Sequence, residues 1–93
     1  MIASIRHKGI RRLYDTGDRR DLKQDQVKRI RRILGILDTA LRIEGVDQLP
    51  GMRLHALKGD YAGFWSVSVS GNWRIVFRFE DGEVLDVDLI DYH

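Results

Sequence analysis

Apolar and polar positions repeat with two different periods along the chain, and the period changes near its middle. Between residues 27 and 41, apolar side chains recur at the spacing of one helical face. They are Val27, Ile30, Leu34, Leu37 and Leu41, with Ile33 and Ala40 beside them. This stripe predicts a long amphipathic helix. Asp21 and Gln24 would open the helix as a variant of the capping box, and Gly45 would end it.

Shorter elements flank this helix. Residues 2–6 predict a short strand, and residues 7–15 predict a first helix closed by Thr16-Gly17-Asp18. Residues 47–51, with the one proline of the chain at position 50, predict a loop. The first half of the chain is therefore expected to be mainly helical.

The second half alternates with the period of two that strands require. Strands are predicted over residues 53–57, 65–70, 73–80 and 84–91. Gly71-Asn72 and Asp81-Gly82 lie between strand patterns and predict tight hairpin turns. The order β-α-α-β-β-β-β predicts an α+β fold, in which an antiparallel sheet carries both helices on one face. Residues 1–93 are expected to form one domain.

Composition excludes several classes of protein. A 93-residue chain that is 43% hydrophobic has the composition of an ordinary globular domain. The chain contains no cysteine, which excludes a disulfide scaffold and a thiolate metal site. No apolar segment approaches the ~20 residues of a membrane span, and no apolar signal core follows the first residues. We therefore expect a soluble, cytoplasmic protein without a membrane partner.

Charge is distributed unevenly. Residues 1–34 carry eleven Lys and Arg against four acidic residues, and residues 35–93 carry five against ten. The basic half favours an anionic partner such as nucleic acid or an acidic protein surface, although a solvated helix face has the same composition. The candidate contacts on the predicted helix are Lys28, Arg29, Arg31 and Arg32.

Polar residues suited to cleaving a phosphate ester fall on the predicted strands. They are His55 and Lys58, Arg74, and the triplet Asp91-Tyr92-His93. Imidazole transfers protons near neutral pH, and lysine and arginine stabilise charge that grows on a phosphate. Individually, each has a structural alternative: a half-buried histidine, a turn lysine, or an arginine paired across the sheet with Glu80 or Asp86. Together they favour a site.

A metal site is not expected. His7, His55 and His93 have no ligand-like spacing, and no cysteine accompanies them. The glycines match neither a phosphate loop nor a dinucleotide fingerprint. Ser66, Ser68 and Ser70 are interpreted as the solvent face of a strand, and Trp65 and Trp73 as core residues. We therefore expect no cofactor.

Several motifs in order resemble the HigB branch of the RelE-like toxins. They are Met1-Ile2 with His7-Lys8-Gly9, Leu37-Asp38-Thr39-Ala40, Leu54-His55-Ala56-Leu57-Lys58-Gly59-Asp60, Gly63-Phe64-Trp65-Ser66-Val67, Asn72-Trp73-Arg74-Ile75 and Asp91-Tyr92-His93. The match spans almost the whole chain. Ala56 departs from the pattern, because relatives often carry proline there, which affects strand geometry more than chemistry.

This resemblance implies a compact RelE-like domain and the toxin of a type II toxin–antitoxin system. Such a toxin is a ribosome-dependent endoribonuclease, an mRNA interferase that cuts mRNA in the A site of the 70S ribosome and inhibits translation without a metal. A HigA-like helix-turn-helix antitoxin is the expected partner. The alternatives are a non-catalytic module that binds RNA or antitoxin, and a ribonuclease that needs no ribosome.

The roles within the expected site follow from residue type. Lys58 and Arg74 would stabilise the phosphate charge, and Arg74 is the better bidentate contact. His55 and His93 would transfer protons, in an order left open, and Asp91 would orient an imidazole or act as the base. Tyr92 would stack on a base or position the substrate. It is the weakest member, because alternation can place it on the other side from Asp91 and His93.

Overall fold

Two helices cover one face of a four-stranded antiparallel sheet in the computed structural model, which describes residues 1–92. The helices are α1 (Lys8–Thr16) and α2 (Gln24–Thr39), and short 3₁₀ helices cover Ile43–Val46 and Gly59–Tyr61. The strands, in both chain and spatial order, are β1 (His55–Ala56), β2 (Trp65–Ser70), β3 (Trp73–Glu80) and β4 (Glu83–Asp91). The predicted α+β fold with helices on one face is confirmed.

Helix α1 has a defined cap at each end. The Nδ1 atom of His7 accepts a hydrogen bond from the backbone N–H of Ile10 at 3.1 Å, which satisfies one donor of the first turn. Gly17 follows the helix with a φ of 78°, and its N–H donates to the carbonyl of Leu13. The prediction for this helix is confirmed, and His7 has a structural role as its N-cap.

Helix α2 begins without the predicted capping box. Lys23 occupies the N-cap position. Within residues 1–92, its side chain makes no capping hydrogen bond. Asp21 instead pairs with Arg12 at 3.1 Å, and the Gln24 side chain donates to the carbonyl of Leu22 at 2.8 Å. The prediction failed because an ion pair to α1 holds the aspartate away from the helix end.

Helix α2 also ends earlier than its apolar stripe predicts. It stops at Thr39, Ala40 has the extended backbone angles φ −68° and ψ 129°, and Leu41 is 84% exposed. The extension of the helix to Leu41 and Gly45 was therefore wrong. Among residues 1–92, no helix has the length and apolar content needed to cross a membrane.

The first residues run beside β4 rather than forming a strand of their own. Ile2 and Ile5 make isolated parallel bridges to Val84 and Val87. Regular pairing is interrupted because β4 carries a bulge, where the register shifts and Asp86 has a φ of 54°. The predicted strand over residues 2–6 is reduced to these two bridges.

Asp38 of α2 fastens this first segment to both helices. Its Oδ1 atom accepts hydrogen bonds from the backbone N–H of Ile2 at 3.0 Å and from the Tyr14 hydroxyl at 2.8 Å. These bonds lower the pKa of Asp38 below its ordinary value, and the bond from the Ile2 backbone has the larger effect. The same contact raises the pKa of the Tyr14 phenol.

The hairpins form where the sequence predicts them, but the first strand is short. Asp81 and Gly82 both have positive φ, at 53° and 80°, as a type I′ turn requires. Gly71 has a φ of 53° in the loop between β2 and β3. The strand predicted over residues 53–57 is limited to β1, since Arg53 has a left-handed φ of 51°.

Apolar side chains are buried on both faces of the sheet. The main core lies between the helices and the sheet, and includes Ile10, Ile30, Ile33, Leu37, Val67, Ile75 and Phe77. A smaller cluster on the opposite face buries Leu57, Phe64 and Val76, with Tyr61 and Ile90 partly buried beside them. Ser66 is fully buried, so its interpretation as a solvent-facing residue was wrong.

Candidate active site

The face of the sheet opposite α1 and α2 carries His55 and Arg74, and we call it the open face. Cross-strand partners share a face, so the observed register identifies its members. One row across the sheet is His55, Ser66, Val76 and Asp88, and the next row is Ser68, Arg74 and Ile90. Since strands lie about 4.8 Å apart, the Cα atoms of His55 and Val76 are separated by about 10 Å.

Arg74 occupies the middle of this face on β3. Its Nε and Nη1 atoms are buried and have no hydrogen-bond partner among residues 1–92. The alternative that Arg74 pairs with Glu80 or Asp86 is not observed, because both carboxylates bind Arg78, at 2.7 Å and 3.0 Å. Buried donors without partners are costly, and an anionic ligand would satisfy them. Arg74 is therefore a candidate anion-binding group.

Tyr92 lies next to this guanidinium. The Tyr92 backbone N–H donates to the Asn72 carbonyl at 2.8 Å, and the Tyr92 ring centroid is 6.0 Å from Cζ of Arg74. Such a contact between a cation and a ring face is favourable and holds both groups in place. Tyr92 as a whole remains 43% exposed, which leaves area for a second planar group.

Asp91 falls on the other side of the strand end. Its register partner is Trp73, which packs against the main core beneath the helices. Alternation does separate Tyr92 from Asp91, as the sequence indicates, but Tyr92 is the residue beside Arg74. The sheet register does not bring Asp91 onto the open face.

His55 and Lys58 lie at the edge of the sheet, on β1 and just after it. Both side chains are exposed. The Nδ1 atom of His55 lies 2.9 Å from the carbonyl oxygen of Arg53. With the proton on Nδ1, this contact is a hydrogen bond that leaves Nε2 able to accept a proton. Lys58 directly precedes the 3₁₀ helix Gly59–Tyr61. The remaining candidate, His93, lies outside the described residues.

Comparison with known proteins assigns the chain to a family. Residues 3–93 match the profile of the RelE-like toxin of type II toxin-antitoxin system HigB. The chain belongs to the HigB-like toxin family. It is 39% identical over 93 residues to the endoribonuclease HigB of Proteus vulgaris, covering 100% of both chains.

Solved structures agree on the fold. YafQ from E. coli strain BL21(DE3) superposes with a TM-score of 0.56 at 12% identity, over 96% of this chain and 89% of that one. The YoeB–YefM complex from Staphylococcus aureus gives 0.57 at 17% identity, over 100% of this chain and 95% of that one. At these identities the likeness concerns the fold alone.

The basic residues of α2 do not form one patch and do not join the open face. Lys28, Arg29 and Arg32 share one side of the helix, whereas Arg31 donates to the Gly17 carbonyl at 3.3 Å. Arg29 donates to the carbonyls of Ser68, at 3.2 Å, and Pro50, at 3.3 Å, and so ties the helix to the sheet. Because α2 packs on the covered face, these side chains lie across the sheet from Arg74.

The sequence interpretation missed the apolar centre of the open face. Phe64 and Val76 are buried there, and the Tyr61 ring meets Phe64 edge-on at 5.6 Å and 88°. The Arg6 guanidinium lies over Phe64, 5.4 Å from its ring centroid. The available signal was that Val76 and Ile90 are apolar at positions where alternation calls for polar residues.

Potential metal ligands are dispersed over this part of the chain. Residues 1–92 contain no group of three or more histidines, cysteines or acidic residues placed to hold a metal ion.

Proposed function

We propose that the protein is an endoribonuclease that cuts mRNA in the A site of the 70S ribosome and is neutralised by a helix-turn-helix antitoxin of the HigA kind. Family membership supports the toxin role, and the name of the Proteus vulgaris relative supports RNA cleavage. The observation that carries the proposal is Arg74, a partly exposed arginine on the open face whose buried Nε and Nη1 donors have no partner among residues 1–92. An RNA phosphate supplies the acceptors that those donors lack.

The reaction needs no group beyond the side chains and the RNA. The ribose 2′-oxygen attacks the adjacent phosphorus, the bond to the 5′-oxygen breaks, and the products are a 2′,3′-cyclic phosphate and a 5′-hydroxyl. A base must accept the 2′-hydroxyl proton, and an acid must protonate the departing 5′-oxygen. Positive charge must also stabilise the pentacoordinate phosphate.

We assign these roles as follows. Arg74 binds the scissile phosphate, and Lys58 adds charge from the edge of the sheet. His55 and His93 exchange the two protons, and the contact of Nδ1 with the Arg53 carbonyl supports an Nε2 that is able to act. Tyr92 stacks on a nucleobase next to Arg74. Asp91 acts from the other side of the strand end, as a base or as a partner of an imidazole.

The basic side chains of α2 have a supporting role in this proposal. Lys28, Arg29, Arg31 and Arg32 provide affinity for ribosomal RNA or for the antitoxin from the covered side of the molecule. We assign them no part in the chemistry, because α2 and Arg74 lie on opposite faces of the sheet. Their contribution should decline with rising salt, as counterion release requires.

The test is cleavage by the purified protein of one mRNA, presented either free or on programmed 70S ribosomes, with EDTA present. We expect cuts only on the ribosome, with a cyclic phosphate on one fragment and a 5′-hydroxyl on the other. Equal cleavage of free mRNA would indicate the ribosome-independent ribonuclease instead. No cleavage in either form would indicate a binding module, and antitoxin binding would then be its measurable activity.

A further inference from the structure

A second arginine reaches over the open face from a different part of the chain. Arg6 belongs to the segment that runs beside β4, where its backbone N–H donates to the Val87 carbonyl at 2.7 Å. Its guanidinium extends across the sheet to lie 5.4 Å from the centroid of the buried Phe64 ring. Stacking on a fixed ring preorganises a guanidinium at little further entropic cost.

The charge of Arg6 is only partly neutralised. Its nearest carboxylate oxygen belongs to Asp86, at 3.6 Å, and the Arg6 side chain is 56% exposed. The same carboxylate accepts a hydrogen bond from Arg78 at 3.0 Å, and Arg78 also binds Glu80 at 2.7 Å. Asp86 therefore interacts mainly with Arg78, and its longer contact with Arg6 contributes little to stability.

The positions of Arg6 and Arg74 suit a chain of phosphates. Trp65 pairs with Phe77, so Phe64 lies at the level of Arg78, four residues along β3 from Arg74. At ~3.3 Å per residue, the backbone levels of Arg74 and of Phe64, over which Arg6 lies, are about 13 Å apart along the strand. The apolar cluster around Val76 and Ile90 fills the interval.

We propose that Arg6 binds a phosphate about two nucleotides away from the scissile one, so that RNA lies across the open face from Arg74 to Arg6. This inference rests on the proposed function and adds a second anchoring point for its substrate. A guanidinium binds phosphate through two parallel N–H bonds, which fixes direction as well as position. The apolar cluster around Val76 and Ile90 forms the floor on which the intervening nucleotides lie.

The experiment compares Arg6→Ala and Arg6→Lys with Arg20→Ala as the matched control. Arg20 is an exposed arginine paired with Asp18 at 2.8 Å, away from the open face, and its loss changes the net charge equally. Single-turnover cleavage on programmed ribosomes gives a maximal rate and a half-saturating toxin concentration. For Arg6→Ala we expect the half-saturating concentration to rise about tenfold with the maximal rate nearly unchanged. This result is expected because Arg6 would bind the substrate equally well before and during the chemical step.

Two further measurements identify the contact as a phosphate. Binding to ribosomes that carry mRNA with a 2′-deoxy sugar at the cut site should show a log–log salt slope less steep by about 0.7 for Arg6→Ala. Arg6→Lys should recover part of the affinity, because it keeps the charge and loses the planar fork. Arg20→Ala should match wild type in both measurements.

Three outcomes overturn the inference. One is an Arg6→Ala protein that matches Arg20→Ala in both cleavage and binding. Another is a loss of maximal rate without a change in half-saturation. The third is unchanged cleavage with weakened antitoxin binding, which would assign Arg6 to the protein partner. If the wild type itself does not cleave, the proposed function fails, and the binding measurement with 2′-deoxy mRNA still tests Arg6.

Discussion

Replacing Arg74 with methionine should change stability and activity in opposite directions. Methionine keeps most of the unbranched stem that packs on the sheet, and it removes the two buried donors that have no partner among residues 1–92. Each unsatisfied donor costs about 1–3 kcal/mol in the folded protein. Loss of the contact between the Arg74 guanidinium and the Tyr92 ring should lower the free energy of unfolding by about 0.5–1 kcal/mol.

The balance predicts that the free energy of unfolding of Arg74→Met rises by about 1 kcal/mol or more. Cleavage on ribosomes should fall by roughly 10²–10³-fold, the typical effect of removing one group that stabilises charge in the transition state. Urea titration measures the first quantity, and single-turnover cleavage measures the second. The two results together would identify a residue retained for its substrate rather than for the fold.

The neighbouring Arg78→Met variant is the control, because Arg78 lies on the same strand and is paired with both Glu80 and Asp86. It should lose up to about 1 kcal/mol per partly exposed pair and retain the maximal cleavage rate. An Arg74→Met protein that unfolded more easily than the wild type would contradict this assignment of Arg74. So would a folded Arg74→Met protein that cleaved at the wild-type rate.

Three more predictions concern other parts of the molecule. Tyr92→Phe should cleave like wild type and Tyr92→Ala should lose about 1–3 kcal/mol of substrate binding; equal losses would assign the role to the hydroxyl. Because the pKa of Asp38 is lowered from its ordinary value of 3.8, its ionised carboxylate stabilises the fold at pH values above 3.8. This stabilisation is lost as the pH falls through the pKa of the folded state. Asp38→Asn should therefore cost about 1–2 kcal/mol at neutral pH and little in strong acid, measured by urea titration; an equal loss at both pH values would contradict this. Lys28→Glu combined with Arg32→Glu should weaken ribosome association at low salt without changing the melting temperature. Arg29→Ala should lower stability by about 1 kcal/mol, since it removes two bonds to carbonyl groups; the reverse pattern would contradict the assignment.

Local patterns predicted the fold where short-range chemistry decides it. Alternation identified β2, β3 and β4, and Asp81-Gly82 predicted its hairpin because both residues adopt positive φ. The end of α2 was missed because Leu41 continues the apolar spacing although the backbone has already left the helix at Ala40. The first strand was overestimated because a bulge in β4, 80 residues away along the chain, interrupts its pairing.

The candidate site was predictable in its residue types but not in its arrangement. Arg74 was selected for its chemistry, and the structure adds that its donors are buried without partners. The face on which Asp91 lies depends on its pairing with Trp73, and a shift of one residue would reverse it. Arg6 was missed because its contact with Phe64 joins distant segments, which no local pattern records.

The pairing of the first residues with β4 has a consequence for when the fold can close. Ser4 and Asp86, which share a hydrogen bond of 2.8 Å, are separated by 82 residues of chain. At about 5–20 residues per second, a ribosome needs roughly 4–16 s to make the chain between them. Contacts of such high sequence separation also slow folding, because loop closure must precede them. Arg6 therefore cannot take its place over Phe64 until nearly the whole polypeptide has been synthesised, so the nascent chain lacks a complete open face throughout most of its own translation.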